Sequence, residues 1–281
     1  MRFHPPRPIR RPRFLAGLVL GLTTSLWVNT LGAAPRSEVV DIPSRPGVTV
    51  RTQVIAPEQP RAAVVLLAGG HGGLQLNTQG RPTWGAGNFL VRIRETLAAR
   101  GLLVALVDAP SDRQQPPFLA GWRQTPEHAQ DMASVMAWLR HQAPLPVWLV
   151  GTSRGTQSAA FVATELPSGI GPDGLVLTAT ILRDDKGRAV PRMPLDRLRM
   201  PVLVLHHEAD ACGHCPASDL PALMNALSAS SRKALQTMQG GHDRGDPCEA
   251  AAHHGFNGLD DEAAQFIADW ILLSPLFQAR P

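Results

Sequence analysis

The stretch PVWLVGTSRGTQSAAFVATEL, residues 146–166, joins a short apolar run to an alanine-rich amphipathic run through Gly151-Thr152-Ser153-Arg154-Gly155. Four consecutive apolar residues, Val147 to Val150, are what a parallel strand buried on both faces requires. The run that follows has helical spacing, so the pentapeptide sits at a strand-to-helix turn. In a G-x-S-x-G turn of this kind the serine occupies a sharp, strained corner, with its hydroxyl exposed at the carboxyl edge of the sheet. The flanking glycines keep side chains out of its way. A helix opening at Arg154 adds free backbone N–H groups, a seat for developing negative charge. Pentamers of this form also arise by chance, and here the placement between strand and helix gives the motif its meaning.

A serine nucleophile needs a base, and the base needs an orienting carboxylate. Residues 201–207, PVLVLHH, read as another buried strand that runs into Glu208-Ala209-Asp210. Asp210 then lies in the loop at the carboxyl end of a strand, where the working groups of such sheets cluster. Glu208 and Asp185 are its rivals. Residues 233–238 read as a last strand ending at Gly240-Gly241, and 260–272 as a final amphipathic helix, with His242, His253 and His254 between them. His206 and His207, near a strand end, read as core or supporting histidines rather than the base.

The order Ser153, Asp210, His254 resembles the α/β-hydrolase superfamily, and its small dienelactone-hydrolase-like branch in particular, over nearly all of residues 34–281. The matching pieces are LLAGGHGG at 66–73, GTSRG at 151–155, VLVLHHEAD at 202–210 and HGFNGLDDEAAQFIADWI at 254–271. In that family a histidine shortly before the last helix, often followed within two residues by Phe, is the base. His254-Gly255-Phe256 fits, while His242 stands directly after the last strand, where many members carry theirs. The resemblance implies Ser153 as nucleophile, His254 as base and Asp210 as its orienting acid. It also implies oxyanion donors from the backbone of Arg154 and of the glycine-rich turn at Gly70 and His71, a turn that otherwise reads as merely tight. The reaction implied is hydrolysis of a small carboxylic ester, with no cofactor and no metal. Thioester or peptide hydrolysis uses the same constellation, and a non-catalytic binding scaffold is the reading from another class.

The fold class expected is α/β, a mostly parallel eight-stranded sheet with helices on both faces. Strands are expected at 38–42, 48–55, 63–67, 102–107, 147–151, 174–179, 202–206 and 235–238, the first two as an antiparallel edge. Helices are expected at 88–99, 127–142, 156–165, 219–227 and 260–272. Only residues 181–200 separate the sixth strand from the seventh, too few for a large cap domain. Loops at 75–87, with Trp84, and at 108–125, with Phe118 and Trp122, would wall an open site instead, and Arg123 joins Trp84 and Trp122 as a candidate for shaping specificity.

Residues 1–13 carry five arginines and no acid, and 14–28 are mostly apolar, followed by Gly32-Ala33-Ala34. That is a signal-peptide pattern, too short for a stable span, and it predicts export to the periplasm or beyond, with residues 34–281 as one domain. Contact with a membrane would come only through an uncleaved leader. The whole chain has 27 basic and 23 acidic residues, so losing five arginines leaves the remainder near neutral. The basic balance is then an address rather than a nucleic-acid footprint.

Three cysteines remain. Cys212-Gly213-His214-Cys215 has the spacing of a thiol–disulfide oxidoreductase motif, but it follows the candidate acid instead of opening a thioredoxin-like helix. Export favours a structural disulfide. A Cys212–Cys248 bond would tie the acid loop to the histidine loop; Cys215–Cys248 is the alternative pairing, and a zinc site made with nearby histidines a third reading.

Overall fold

The computed structural model of the protein describes residues 34–273, together with residues 1, 2 and 4. The chain divides into two units, Met1–Gly32 and Ala33–Pro281. The expected leader lies almost wholly outside the described residues, and all the described strands and helices belong to the second unit.

Eight strands form one sheet: β1 (Arg36–Pro43), β2 (Thr49–Ala56), β3 (Ala62–Leu67), β4 (Leu102–Pro110), β5 (Val147–Thr152), β6 (Gly174–Thr178), β7 (Val202–His207) and β8 (Lys233–Met238). Their spatial order is β1-β2-β4-β3-β5-β6-β7-β8. From β4 to β8 every pair is parallel, whereas β2 runs antiparallel to both β1 and β4.

Among the described residues, five helices cover the two faces: α1 (Phe89–Ala99), α2 (Pro126–Gln142), α3 (Arg154–Glu165), α4 (Leu220–Ala226) and α5 (Asp260–Leu272). The two-residue period of a strand decides which face each side chain serves. Ala63, Val65 and Leu67 of β3 join a core with Met132, Val135 and Met136 of α2 and Ala159 and Val162 of α3. Ala62, Val64 and Leu66 point the other way, into a core with Leu90, Ile93 and Leu97 of α1 and Ala263, Ile267 and Ile271 of α5. With both faces covered, β3, β5, β6 and β7 are buried at every position. Continuous apolar runs satisfy that demand.

Local chemistry fixes the helix starts. Asn88 caps α1, its side chain accepting from the Leu90 amide; Thr125 caps α2 by accepting from the His128 amide, with Pro126 in the first turn. Asp260, Asp261 and Glu262 fill the first turn of α5, complementing the positive end of its dipole.

The differences from the sequence expectation are a few residues at element ends, as at β4, which continues to Pro110 rather than stopping at 107. β1 and β8 are the two outer strands, and β1 extends further than expected, beginning at Arg36. Their half-exposed faces accept charges such as Arg36 and Lys233, which blur the strand pattern. Between β6 and β7 the described chain forms only two short 3₁₀ turns, Val190–Arg192 and Leu195–Arg197, and no cap domain.

Candidate active site

β5 ends at Thr152 and α3 begins at Arg154, so the whole reversal falls on Ser153. Its backbone is at φ 51° and ψ −126°, outside the regions an L-residue favours. Such a conformation costs of order 1–3 kcal/mol and persists only where its surroundings over-determine it. Here the Ser153 amide donates to the Thr178 carbonyl of the neighbouring strand at 3.0 Å, and the Ser153 carbonyl accepts from the amide and hydroxyl of Thr156.

Both glycines of the motif are demanded by close approach. A Cβ on Gly155 would lie 1.9 Å from the Leu67 carbonyl oxygen, and one on Gly151 would lie 2.5 Å from the Gly155 carbonyl oxygen. Helix α3 therefore leaves the sheet at a distance no side chain permits.

Asp210 lies just beyond β7, and its carboxylate is buried. One oxygen accepts from the Cys212 amide at 2.9 Å; the other lies 2.9 Å from His254 Nδ1. That contact assigns the proton to Nδ1 and leaves Nε2 as the free nitrogen. His254 Nε2 is itself buried with no protein partner among the described residues and belongs to a side chain on the wall of a cavity of about 370 Å³ that Ser153 also lines. Arg154, Gly69, Gly70, Trp84, Cys212 and Cys248 line the same cavity.

The turn carrying His254 is held from below. Phe256, at φ 53°, is fully buried against Phe89 of α1, their ring centroids 4.7 Å apart. A Cβ on Gly255 would meet the Ala250 carbonyl oxygen at 2.2 Å. Arg92 of α1 donates to the Gly255 carbonyl at 2.7 Å and pairs with Asp260 at the start of α5. The His-Gly-Phe sequence is thus a histidine, a close approach and an anchor.

Rivals for these positions lie elsewhere. His242 is exposed, its amide donating to the Asn257 carbonyl, and it lines neither of the two larger cavities. Glu208 is exposed and bonds Thr237 and Gln239; Asp185 is also exposed. His206 is fully buried, its Nε2 3.0 Å from the Cys215 carbonyl oxygen and 3.8 Å from the Asp210 carboxylate. Burial pushes its pKa down and favours the neutral ring.

Cys212 and Cys248 form a disulfide, so the acid loop and the histidine loop are covalently joined. Cys215 is a free, buried thiol whose pKa burial raises well above the ordinary thiol range. A reactive redox thiol needs the opposite shift. Sγ of Cys212 and Cys215 and a ring nitrogen of His254 lie within 4.8 Å of one another. The disulfide occupies Cys212, so these three groups are not a ready zinc site.

The glycine-rich turn after β3 abuts the elbow: a Cβ on Gly69 would lie 2.9 Å from Ser153 Cβ. Among the described residues, the amides of Gly70, His71 and Arg154 donate to no protein acceptor. The chain beyond is pinned by Asp108 at the end of β4, whose carboxylate accepts from the amides of Leu74, Gln75, Leu76 and Ala109. The His71 ring is held between Trp84 and Phe118, at centroid distances of 3.7 and 4.3 Å, and its Nδ1 accepts from the Gly73 amide. Burial first, and the charge of Arg123 second, lower its pKa.

A second cavity of about 450 Å³ adjoins the first across Gly70 and Arg154 and is lined by His71, Leu119, Gln157, Asp184 and Lys186, among others. The Arg154 guanidinium bonds Asp184 in its wall at 2.5 Å. Of the loop residues expected to wall the site, Trp84 does so and Phe118 backs His71. Trp122 lines neither large cavity; Arg113 and Arg45 stack on its ring instead.

No family model matches the chain, and no curated protein matches it. Solved structures do. A putative dienelactone hydrolase from Klebsiella pneumoniae is 15% identical with a TM-score of 0.61, covering 88% of this chain and 100% of that one. Dienelactone hydrolase from Anabaena variabilis is 16% identical with a TM-score of 0.59, covering 86% and 99%. A thermophilic esterase from Thermogutta terrifontis is 20% identical with a TM-score of 0.57, covering 84% and 91%. At these identities the likeness is one of fold: the chain has the α/β-hydrolase fold, in the arrangement of dienelactone-hydrolase-like and esterase structures, without a large cap.

Proposed function

We propose that the protein is a serine hydrolase that cleaves small carboxylic esters. Ser153 Oγ attacks the acyl carbon while His254 Nε2 takes its proton, and the base later returns that proton to the departing alcohol. Asp210 fixes the imidazole by accepting from Nδ1 and stabilises the imidazolium that forms. The amides of Gly70, His71 and Arg154 hold the oxyanion, each such donor contributing about 3 kcal/mol in this chemistry. Water then cleaves the acyl-enzyme with the same base.

One observation carries this reading. The imidazole bonded to a buried carboxylate leaves its other nitrogen unpartnered on the wall of the cavity that also holds the serine of the strained elbow. The esterase names among the solved structures of like fold support a hydrolase of this class. The uncapped cavity supports a small substrate. The leader pattern in residues 1–33 and the disulfide between Cys212 and Cys248 both fit an exported protein, with residues 34–281 as the mature domain.

Labelling with a fluorophosphonate probe tests it. The expected result is a single adduct on Ser153, lost in Ser153→Ala, together with turnover of short-chain p-nitrophenyl esters. A folded protein without that adduct would overturn the assignment.

A further inference from the structure

Arg123, in the loop before α2, is 5% exposed, and among the described residues no carboxylate stands within ion-pair distance of it. Its partners are neutral oxygens. Nη2 donates to the carbonyls of Ala68, Gly69 and Gly70 at 2.9, 3.4 and 3.1 Å, and Nη1 donates to Ser158 Oγ of α3 at 2.9 Å. Gly72 makes room for the group, since a Cβ there would lie 2.6 Å from Nη2. Burial, and secondarily the like charge of Arg154, bring its pKa down to about 9, which still leaves a cation at neutral pH.

A lone buried cation is costly, and hydrogen bonds must offset what water would have given it. Those bonds fall on three consecutive peptides of the turn that faces Ser153. In a planar trans peptide the N–H points opposite the C=O. Drawing the Gly69 and Gly70 carbonyls toward Arg123 therefore turns the Gly70 and His71 amides the other way, and these amides have no protein acceptor. The fork spans both halves of the site, holding the turn with one nitrogen and α3, the helix that opens with the Arg154 amide, with the other.

We propose that Arg123 is the positioning residue of the oxyanion site: it clamps the 68–70 carbonyls to α3, aims the Gly70 and His71 amides at the reacting oxygen and places its positive charge behind them. This rests on the esterase reading. The clamp acts on the charge that develops in the transition state, so its loss falls on kcat rather than KM.

The test compares wild type with Arg123→Met, Arg123→Lys and Ser158→Ala on p-nitrophenyl acetate, with a trifluoromethyl ketone that adds to Ser153 as an oxyanion adduct. Removing one oxyanion donor costs on the order of 100- to 1000-fold. Arg123→Met is expected to lose about 100-fold in kcat at nearly unchanged KM, with the ketone's inhibition constant rising in parallel. Arg123→Lys, which keeps the charge but not the fork, is expected in between, and Ser158→Ala to lose less. If Arg123→Met fails to fold, the lysine variant decides, wild-type kcat in it overturning the proposal. A folded Arg123→Met that keeps kcat within about threefold, or whose loss lies in KM alone, also overturns it. Wild type that neither turns over the ester nor forms the Ser153 adduct sinks the esterase reading itself, a result separate from an active wild type indifferent to Arg123.

Discussion

His254 Nδ1 lies 2.9 Å from Asp210 Oδ2, and the two residues stand 44 positions apart in the chain. The contact works only because Asp210 is an obligate acceptor: its other oxygen already takes the Cys212 amide, and the carboxylate has no exposure to water. Asp210→Asn keeps the shape but offers an NH₂ or a carbonyl where a carboxylate stood, so the tautomer is no longer fixed and the imidazolium is not stabilised. A loss in kcat of roughly 10⁴-fold is expected for such a change. Melting temperature measured alongside separates this from unfolding.

Histidine substitutions make a sharper comparison. His254→Ala is expected to abolish ester turnover to within the residual that binding and oxyanion donors alone supply, several orders of magnitude below wild type. His242→Ala, on an exposed side chain away from both cavities, is expected to keep kcat within about threefold, since surface changes of this kind are close to neutral. Steady-state kinetics on one ester settles both, and the reverse ranking would move the base to His242.

The disulfide closes a loop of 36 residues between the acid and histidine loops. Chain entropy puts its stabilisation at about 4 kcal/mol. Cys248→Ser is expected to lower the urea midpoint accordingly and to reduce kcat in the folded protein, because the Cys212 amide that holds Asp210 sits beside the bond. Cys215→Ser should leave the disulfide intact, and non-reducing peptide mapping of that variant would show it.

The sheet and the candidate site were legible because their physics is local. A strand buried on both faces must be an apolar run, as β5 and β7 are, and the elbow needs its two glycines within the same five residues. The histidine turn could be read for a similar reason: His254, Gly255 and Phe256 carry the proposed base, the close approach and the anchor in consecutive positions. What stayed hidden depends on contacts distant in sequence. Arg123 reads in the sequence as a candidate for shaping specificity, and its burial and its hold on the turn 53–55 residues before it follow only from the fold. Asp108 reads as an ordinary strand end, although four amides converge on it. Trp122 misled because an aromatic near a site suggests a wall; two arginines hold it elsewhere.

Gly155 tests the close packing of the elbow. A methyl group there would sit 1.9 Å from the Leu67 carbonyl oxygen and 3.0 Å from that of Ala68, both backbone atoms of the strand and turn that carry the proposed oxyanion donors. Neither can rotate away as a side chain would. Gly155→Ala is therefore expected to cost more than about 3 kcal/mol, the range of severe overpacking, or to prevent folding. Chemical denaturation of the soluble fraction measures it. Gly213→Ala, where a Cβ meets nothing within 4 Å, is the control and should be close to neutral.

His128 sets an acid limit on stability. It lies in α2, 1% exposed, with both ring nitrogens unpartnered among the described residues. Burial, then the charges of Arg123 and Arg45, push its pKa down to about 3. An unfolded histidine titrates near 6.5. Above that pH both states carry the neutral ring and His128 adds no pH dependence. Between about 6.5 and 3 the unfolded chain takes up a proton that the folded protein refuses, so stability falls with pH, by about 2 kcal/mol at pH 5. Replacing the ring removes that linkage. His128→Leu should therefore gain on wild type as pH drops from 7.5 to 5 in urea unfolding; His206, also buried and also shifted down, keeps a residual slope in both proteins. An equal loss in the two proteins would show that the folded state protonates His128 without penalty.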